Sequence, residues 1–357
     1  MSDLSKIGFY VNKYALPSFL ILGILGFIGN LFTYLQPKFR LKTCCIYLLL
    51  GSIADILNLL INVFPNYLSY NFNISIAWSA STGLCQLNLF LLRFFRQLPS
   101  QFLLLSILDR FAATCDLRSP IRRILQLKYV SIMGILAVIS CFLLTITGIF
   151  FFQKSFFWCE LNNPLLANIL YIIFNGLLQP ILMLIFVFLT YRNIHQSQQR
   201  TRRINGRNSR QYRTQFIVMI FGQIFITVFL SMQWIIYYVY YIFTLDQVRT
   251  NDQRTIVMFV FSISANIYYL ISVKPFYISL LISPLFRKTF AHGLMKLSCH
   301  QRRRVGVRTL ETSIQPIIFS RKKTNDLILY LSSFVFKIKF FSLGYFGLIF
   351  FCCMCRS

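Results

Sequence analysis

The chain has 357 residues, of which 57% are hydrophobic and 13% charged. Water-soluble domains carry about a quarter charged residues, so a soluble globular class is excluded. A formal charge of +27 would point to nucleic acid if the bases lined exposed elements; here they fall in short gaps between apolar runs and near the carboxyl end, a membrane-topology pattern.

Taken in order, apolar runs of spanning length occupy about 15–35, 45–68, 82–113, 128–152, 167–191, 216–245 and 256–283, which makes seven. The first 14 residues are polar and show no cleavable signal, so 1–14 is expected to be an extracellular amino terminus. Lys38, Arg40 and Lys42 follow the first run, Arg118, Arg122, Arg123 and Lys128 the third, and Arg192, Arg200, Arg202, Arg203, Arg207, Arg210 and Arg213 the fifth. The alternate connections hold only Lys154, Arg249 and Arg254. Fourteen bases against three orient the chain with its amino terminus outside and its tail in the cytoplasm. The Asn73-Ile74-Ser75 sequon then lies in an extracellular connection, as a glycosylation acceptor or a chance match.

The third run, CQLNLFLLRFFRQLPSQFLLLSILDRF from Cys85 to Phe111, carries Arg93, Arg96 and Arg110 with Pro99 among them. As a helix, Cys85 to Arg110 covers roughly 37 Å, so one end of the run sits at each interface of a hydrocarbon core about 30 Å thick. Arg93 and Arg96 share a face with Gln97 beside them, at a depth where charge is rare and usually functional. The upper half of the bundle offers them no embedded carboxylate, since Glu160, Asp246 and Asp252 lie in loops. Two arginines favour a ligand with an anionic or carbonyl-rich part; the competing reading pairs them with loop acids, carbonyls freed by Pro99, and tyrosines. Trp234, Tyr237, Tyr238, Tyr240 and Tyr241 near the end of the sixth run read either as pocket lining or as an interfacial aromatic belt.

Seven spans in this topology, with Gly29-Asn30, Ala54-Asp55, Cys85, Asp109-Arg110-Phe111, Cys159, Pro180, Pro275-Phe276-Tyr277 and the stretch Leu285–Phe290 each on its expected segment, resemble the rhodopsin-like G-protein-coupled receptors over about residues 15–297. The last two runs look most like invertebrate FMRFamide-like neuropeptide receptors. The resemblance implies an all-α membrane protein: a seven-transmembrane helix bundle with a short amphipathic eighth helix. It implies a ligand pocket at Arg93, Arg96, Gln97 and Trp234, and a G-protein switch at Asp109, Arg110 and Phe111. It places core microswitches at Asn30, Asp55, Pro180, Lys274, Pro275 and Tyr277, and pairs Cys85 with Cys159, against two free thiols. Departures are Phe111 for the usual Tyr, no Trp in the fourth run, no Pro in the sixth and Lys274 for the family's Asn. The family holds sodium near Asp55; here Lys274 is expected to pair with Asp55 in its place, or else to snorkel away from a protonated acid. No acid stands at the foot of the sixth run beside Arg213, Thr214 and Gln215 to lock Arg110, which predicts basal signalling.

His195, His292 and His300 are scattered, so no catalytic or metal centre and no cofactor is expected, and the chain is read as no enzyme. The expected partners are an extracellular ligand, most simply a peptide, a heterotrimeric G protein and the lipid bilayer of the plasma membrane, without nucleic acid. A ligandless or constitutively active receptor is the alternative; a transporter or channel lacks the expected internal repeat, and Lys274 is too near the cytoplasmic end for a light sensor. The tail from 298 to 357 is basic, then apolar over 327–355 with Lys337 and Lys339 interrupting. It reads as a leaflet-attached segment with acylated Cys352, Cys353 and Cys355, as an eighth span, or as an extension without selected structure.

Overall fold

The computed structural model describes residues 3–40, 42–74, 82–115, 129–149, 152–154, 159–161, 169, 172–200, 207–243 and 250–306. Backbone polar groups in lipid must be satisfied within the segment, which favours helices, and helices dominate. They are α1 (Asp3–Tyr34), α2 (Pro37–Arg40), α3 (Thr43–Asn58), α4 (Phe64–Phe72), α5 (Thr82–Thr114), α6 (Val130–Ile149), α7 (Gln179–Arg200), α8 (Arg207–Phe243), α9 (Asn251–Ile282) and α10 (Pro284–Gly306). Between α6 and α7 lies a small antiparallel hairpin, β1 (Phe152–Lys154) with β2 (Cys159–Leu161), in which Lys154 faces Cys159.

Among the described residues five rods are long and apolar enough to cross a membrane: Leu4–Tyr34, Thr43–Phe72, Ile172–Gln196, Gln215–Tyr240 and Asp252–Ile282. The other two expected segments are α5, which carries Arg93, Arg96, Asp109 and Arg110, and the shorter apolar helix at Val130–Ile146. Two rods widen into π-helical turns, Leu59–Val63 and Ile172–Leu178, and each lies just ahead of a proline, Pro65 and Pro180. Proline lacks an N–H and its ring collides with the carbonyl four residues back, here Ile61 and Gly176; the wider turn accommodates both.

Met1–Phe286 forms one compact unit. In it α3 packs along α5, α1 along α9, α8 along α9, and α6 and α7 along α5. One apolar cluster, Tyr47, Ala54, Leu98, Phe102, Leu105, Val130, Ala137 and Cys141, joins α3, α5 and α6. A second, with Leu16, Leu20, Leu59, Val63, Tyr269 and Val273, joins α1, the first π turn and α9. The outward faces are also apolar: Ile21, Ile24, Leu25 and Ile28 on α1, Ile132, Ile135, Leu136 and Ile139 on α6, and Phe225, Phe229, Met232 and Ile236 on α8 are all exposed. Such contiguous apolar surface is unfavourable in water and favourable against acyl chains. The interior meanwhile collects Asn30, Asp55, Asn58, Asn62, Gln97, Gln179, Gln223, Thr227 and Lys274. An apolar exterior around a polar interior is that of a membrane-embedded protein.

Two boundaries differ from the sequence reading. The expected extracellular stretch 1–14 is helical from Asp3 onward. Buried Asn12 ties it to α9, donating to Ser262 at 2.8 Å and accepting from Asn266 at 2.6 Å. The helix expected at 285–290 runs as α10 for 23 residues to Gly306, because no proline interrupts it and its last turns carry Arg302, Arg303 and Arg304, which suit a helix carboxyl end. Arg287–Ser357 clusters as a separate unit; the tail at 307–357, with its cysteines and Lys337 and Lys339, lies outside the described residues.

Candidate functional site

A narrow cleft is lined by Arg93, Arg96, Gln97 and Ser100 of α5, Gln179, Pro180 and Met183 of α7, Thr227, Val228, Ser231, Trp234 and Ile235 of α8, and Tyr268 of α9. All four residues expected to form the pocket line it. Pro180, expected in the core, lines it too, brought there by the π turn that ends at Leu178. Gly176 in that turn lets α7 approach α8: a Cβ there would come within 2.6 Å of Ile235.

Aromatic rings surround the Arg96 guanidinium, with Tyr268 at 5.1 Å, Trp234 at 5.6 Å and Tyr269 at 5.9 Å. Ring faces are electron-rich, so they hold a cation and fix its position. Trp234 stacks on Tyr238 with centroids 5.9 Å apart, and Phe261 packs against the same indole at 5.5 Å. Tyr237 is buried and donates to the Val257 carbonyl at 2.6 Å, while Tyr240 is exposed. The aromatic run is therefore split: Trp234 and Tyr237 face inward, and Tyr240 alone of these three fits an outer belt. Three donors on residues that line the cleft, Gln97 Nε2, Gln179 Nε2 and Trp234 Nε1, are closed to solvent and make no hydrogen bond. Gln179 escaped the sequence reading; a glutamine directly before the fifth-run proline, inside an apolar run, is the signal that marks it.

Down α5, fourteen residues and about 21 Å from Arg96 by helical rise, Arg110 donates to Asp109 at 2.7 Å. Asp109 is buried and its second oxygen accepts from Thr43 Oγ1 in the first turn of α3. Arg110 Nε has no partner, and Asp109 is the guanidinium's only ionic partner among the described residues. Phe111 packs on Phe186 of α7 at 5.7 Å. Thr43 was missed because it is distant in sequence and lies at the start of an apolar run.

The core positions are arranged differently from the expectation at Lys274. No direct Asp55–Lys274 ion pair forms: the Lys274 ammonium donates to Thr227 Oγ1 of α8 at 2.7 Å, and Asp55 Oδ1 is buried without a hydrogen-bond partner. Thr227 passes its own hydrogen to the Gln223 carbonyl at 2.7 Å. Gln223 Nε2 then clasps α9, donating to Ser279 Oγ at 2.7 Å and to the Pro275 carbonyl at 3.2 Å. Gln223, Thr227 and Ser231 recur every four residues, so one face of α8 is polar from the cleft to Pro275. Asn30 donates to Ser52 at 3.1 Å, and Tyr277 ties α9 to α1 through the Leu22 carbonyl at 2.9 Å. Gly29 beside Asn30 is required by close packing, since a Cβ there would lie 2.6 Å from Cζ of Phe276.

Cys85 lies in the first turn of α5 and Cys159 begins β2, and both strands of the hairpin pack against α5. The side chains of both cysteines lie outside the described residues, as does Ser75 of the sequon. Asn73 itself is exposed and caps α4 in the left-handed conformation, with φ of 55°, which asparagine tolerates better than most residues. No family model matches the sequence, and no curated protein matches it significantly.

Proposed function

We propose that the chain is a seven-transmembrane receptor of the rhodopsin-like G-protein-coupled kind, which converts binding of an extracellular ligand, a neuropeptide, into activation of a heterotrimeric G protein at the plasma membrane. The observation that supports the reading best is that α5 carries both ends of such a device: Arg93, Arg96 and Gln97 in the cleft wall and the Asp109–Arg110 pair near its other end. In this mechanism the ligand draws α5, α7, α8 and α9 together around the cleft. The polar face of α8 transmits the change to Pro275, and Arg110 leaves Asp109 to meet the G protein.

A resting state of high basal activity is favoured by a specific feature, the single ionic partner of Arg110 among the described residues. The test is expression at the surface of a heterologous cell with a G-protein activation readout against a peptide library. Arg110→Ala is expected to abolish both basal and stimulated signalling with surface level retained. A surface-expressed chain that is silent at baseline and to every peptide refutes the neuropeptide-receptor reading, and a flux assay then tests the transporter class.

A further inference from the structure

Resting on the receptor reading, we infer that Phe39 and Lys42, at the corner between α2 and α3, latch the foot of α8 through Phe216 and so limit the basal activity that the lone ionic partner of Arg110 favours. The Phe216 and Phe39 rings meet edge to face, with centroids 5.1 Å apart and planes at 88°, the arrangement in which the positive edge of one ring meets the negative face of the other. The Lys42 ammonium lies 4.7 Å from the Phe216 centroid and 5.7 Å from that of Phe39, so one cation serves both rings. Phe216 and Phe39 are only 3% and 1% exposed, and water screens an attraction between buried groups poorly.

The corner is itself anchored. Phe39 backs onto Tyr34 at 6.5 Å, and Tyr34 onto Phe286 at 5.7 Å. The Phe39 N–H donates to the Gln36 carbonyl at 2.8 Å and the Lys42 N–H to the Phe39 carbonyl at 2.9 Å, so the turn that carries both side chains is held by its own backbone. The next residue, Thr43, donates to Asp109, the partner of Arg110. One short turn therefore grips α8 through residues 39 and 42 and the switch of α5 through residue 43.

Phe216 also lies on the face of α8 that reaches the cleft. Residues 216, 220, 223 and 227 follow at steps of four, three and four, which keeps them on one side of a helix, and Thr227 and Ser231 line the cleft. From Ser231 to Phe216 is about 22 Å by helical rise. Gly222 admits the Ile282 side chain of α9 against the α8 backbone, so α8 lies close to α9 there, and the foot beyond it ends on the latch. No acid stands at Arg213, Thr214 or Gln215 to hold Arg110; the tie is made instead by a ring on α8 and a cation on the α2–α3 corner. The foot of α8 cannot swing outward without separating Phe216 from both partners.

The full-length chain is tested by two readouts, basal G-protein activation normalised to surface level in a heterologous cell and thermal unfolding in lipid nanodiscs. Lys42→Gln is expected to raise basal activation about threefold and Phe216→Leu about tenfold, whereas Lys42→Arg, which keeps the cation, stays close to the parent. Lys42→Gln is also expected to lower the unfolding midpoint by about 2 °C, and by less than half as much once Phe216 is replaced by leucine, because the cation has then lost its nearer ring. Lys42→Gln and Phe216→Leu chains that keep the parent's basal activation while a peptide still stimulates them overturn the latch and sustain the receptor reading. Fully additive midpoint losses, or a rise with Lys42→Arg equal to that with Lys42→Gln, overturn the latch as well. Midpoint coupling without G-protein activation from any chain sustains the tie and overturns the receptor reading.

Discussion

Gln223→Leu isolates the clasp between α8 and α9. Leucine is close to glutamine in bulk but makes neither the 2.7 Å bond to Ser279 nor the 3.2 Å bond to the Pro275 carbonyl. Ser279 Oγ still donates to that carbonyl at 2.7 Å, so the Pro275 acceptor keeps a partner and the two bonds from Gln223 are the ones counted. At about 1 kcal/mol net each, the cost is about 2 kcal/mol. For a helical body of this size a shift of roughly 2–4 °C per kcal/mol follows, so the unfolding midpoint in nanodiscs is expected to fall by several degrees. If α8 swings away from α9 on activation, the same loss falls on the resting arrangement alone. The active fraction then rises by roughly tenfold per 1.4 kcal/mol, up to about thirtyfold. Basal G-protein activation normalised to surface level measures it, with Ser279→Ala as the partner variant. A Gln223→Leu chain with unchanged midpoint and unchanged basal activity refutes the clasp.

Two further outcomes follow from the packing. A double-mutant cycle of Asp55→Asn and Lys274→Met, read by unfolding midpoint, is expected to give a coupling toward the low end of the roughly 0.5–3 kcal/mol found for interacting residues, because Lys274 bonds Thr227 and not Asp55; a coupling at the upper end contradicts the observed partner. Gly29→Val places branched carbon where Phe276 now sits and is expected to cost about 1–3 kcal/mol by overpacking, seen as lower surface expression, whereas Gly83→Ala, with open space around its Cβ, is expected to leave expression unchanged.

The aromatic run shows how far the sequence reads and where it stops. Composition and basic-residue spacing determine that the chain lies in a membrane, because a span has to be apolar along its whole length and bases stay on one side. Sequence spacing also puts Arg93, Arg96 and Gln97 on one face of one helix, because helical neighbours are set locally. It does not say which helices supply the opposing wall. Trp234 facing the cleft while Tyr240 faces outward, Gln179 turned inward ahead of Pro180, and Thr43 reaching Asp109 from α3 all depend on how rods far apart in sequence rotate against each other.

Lys274 marks the same division. Its position one residue before Pro275 is plain in the sequence, and a buried acid at Asp55 makes an ion pair the simplest local expectation. The choice between Asp55 and Thr227 is made by the rotation of α9 between α3 and α8, and that rotation is set by packing: Gly29 receiving Phe276, Tyr277 reaching Leu22, and Gln223 holding Pro275. Near-neighbour periodicity along the chain is enough to dictate the solvent, the helical rods and the face of α5 that carries charge, because none of these needs a distant partner. The partners of the buried charges and the donor-rich cleft arise only in the packed bundle, because each is a contact between side chains on different helices.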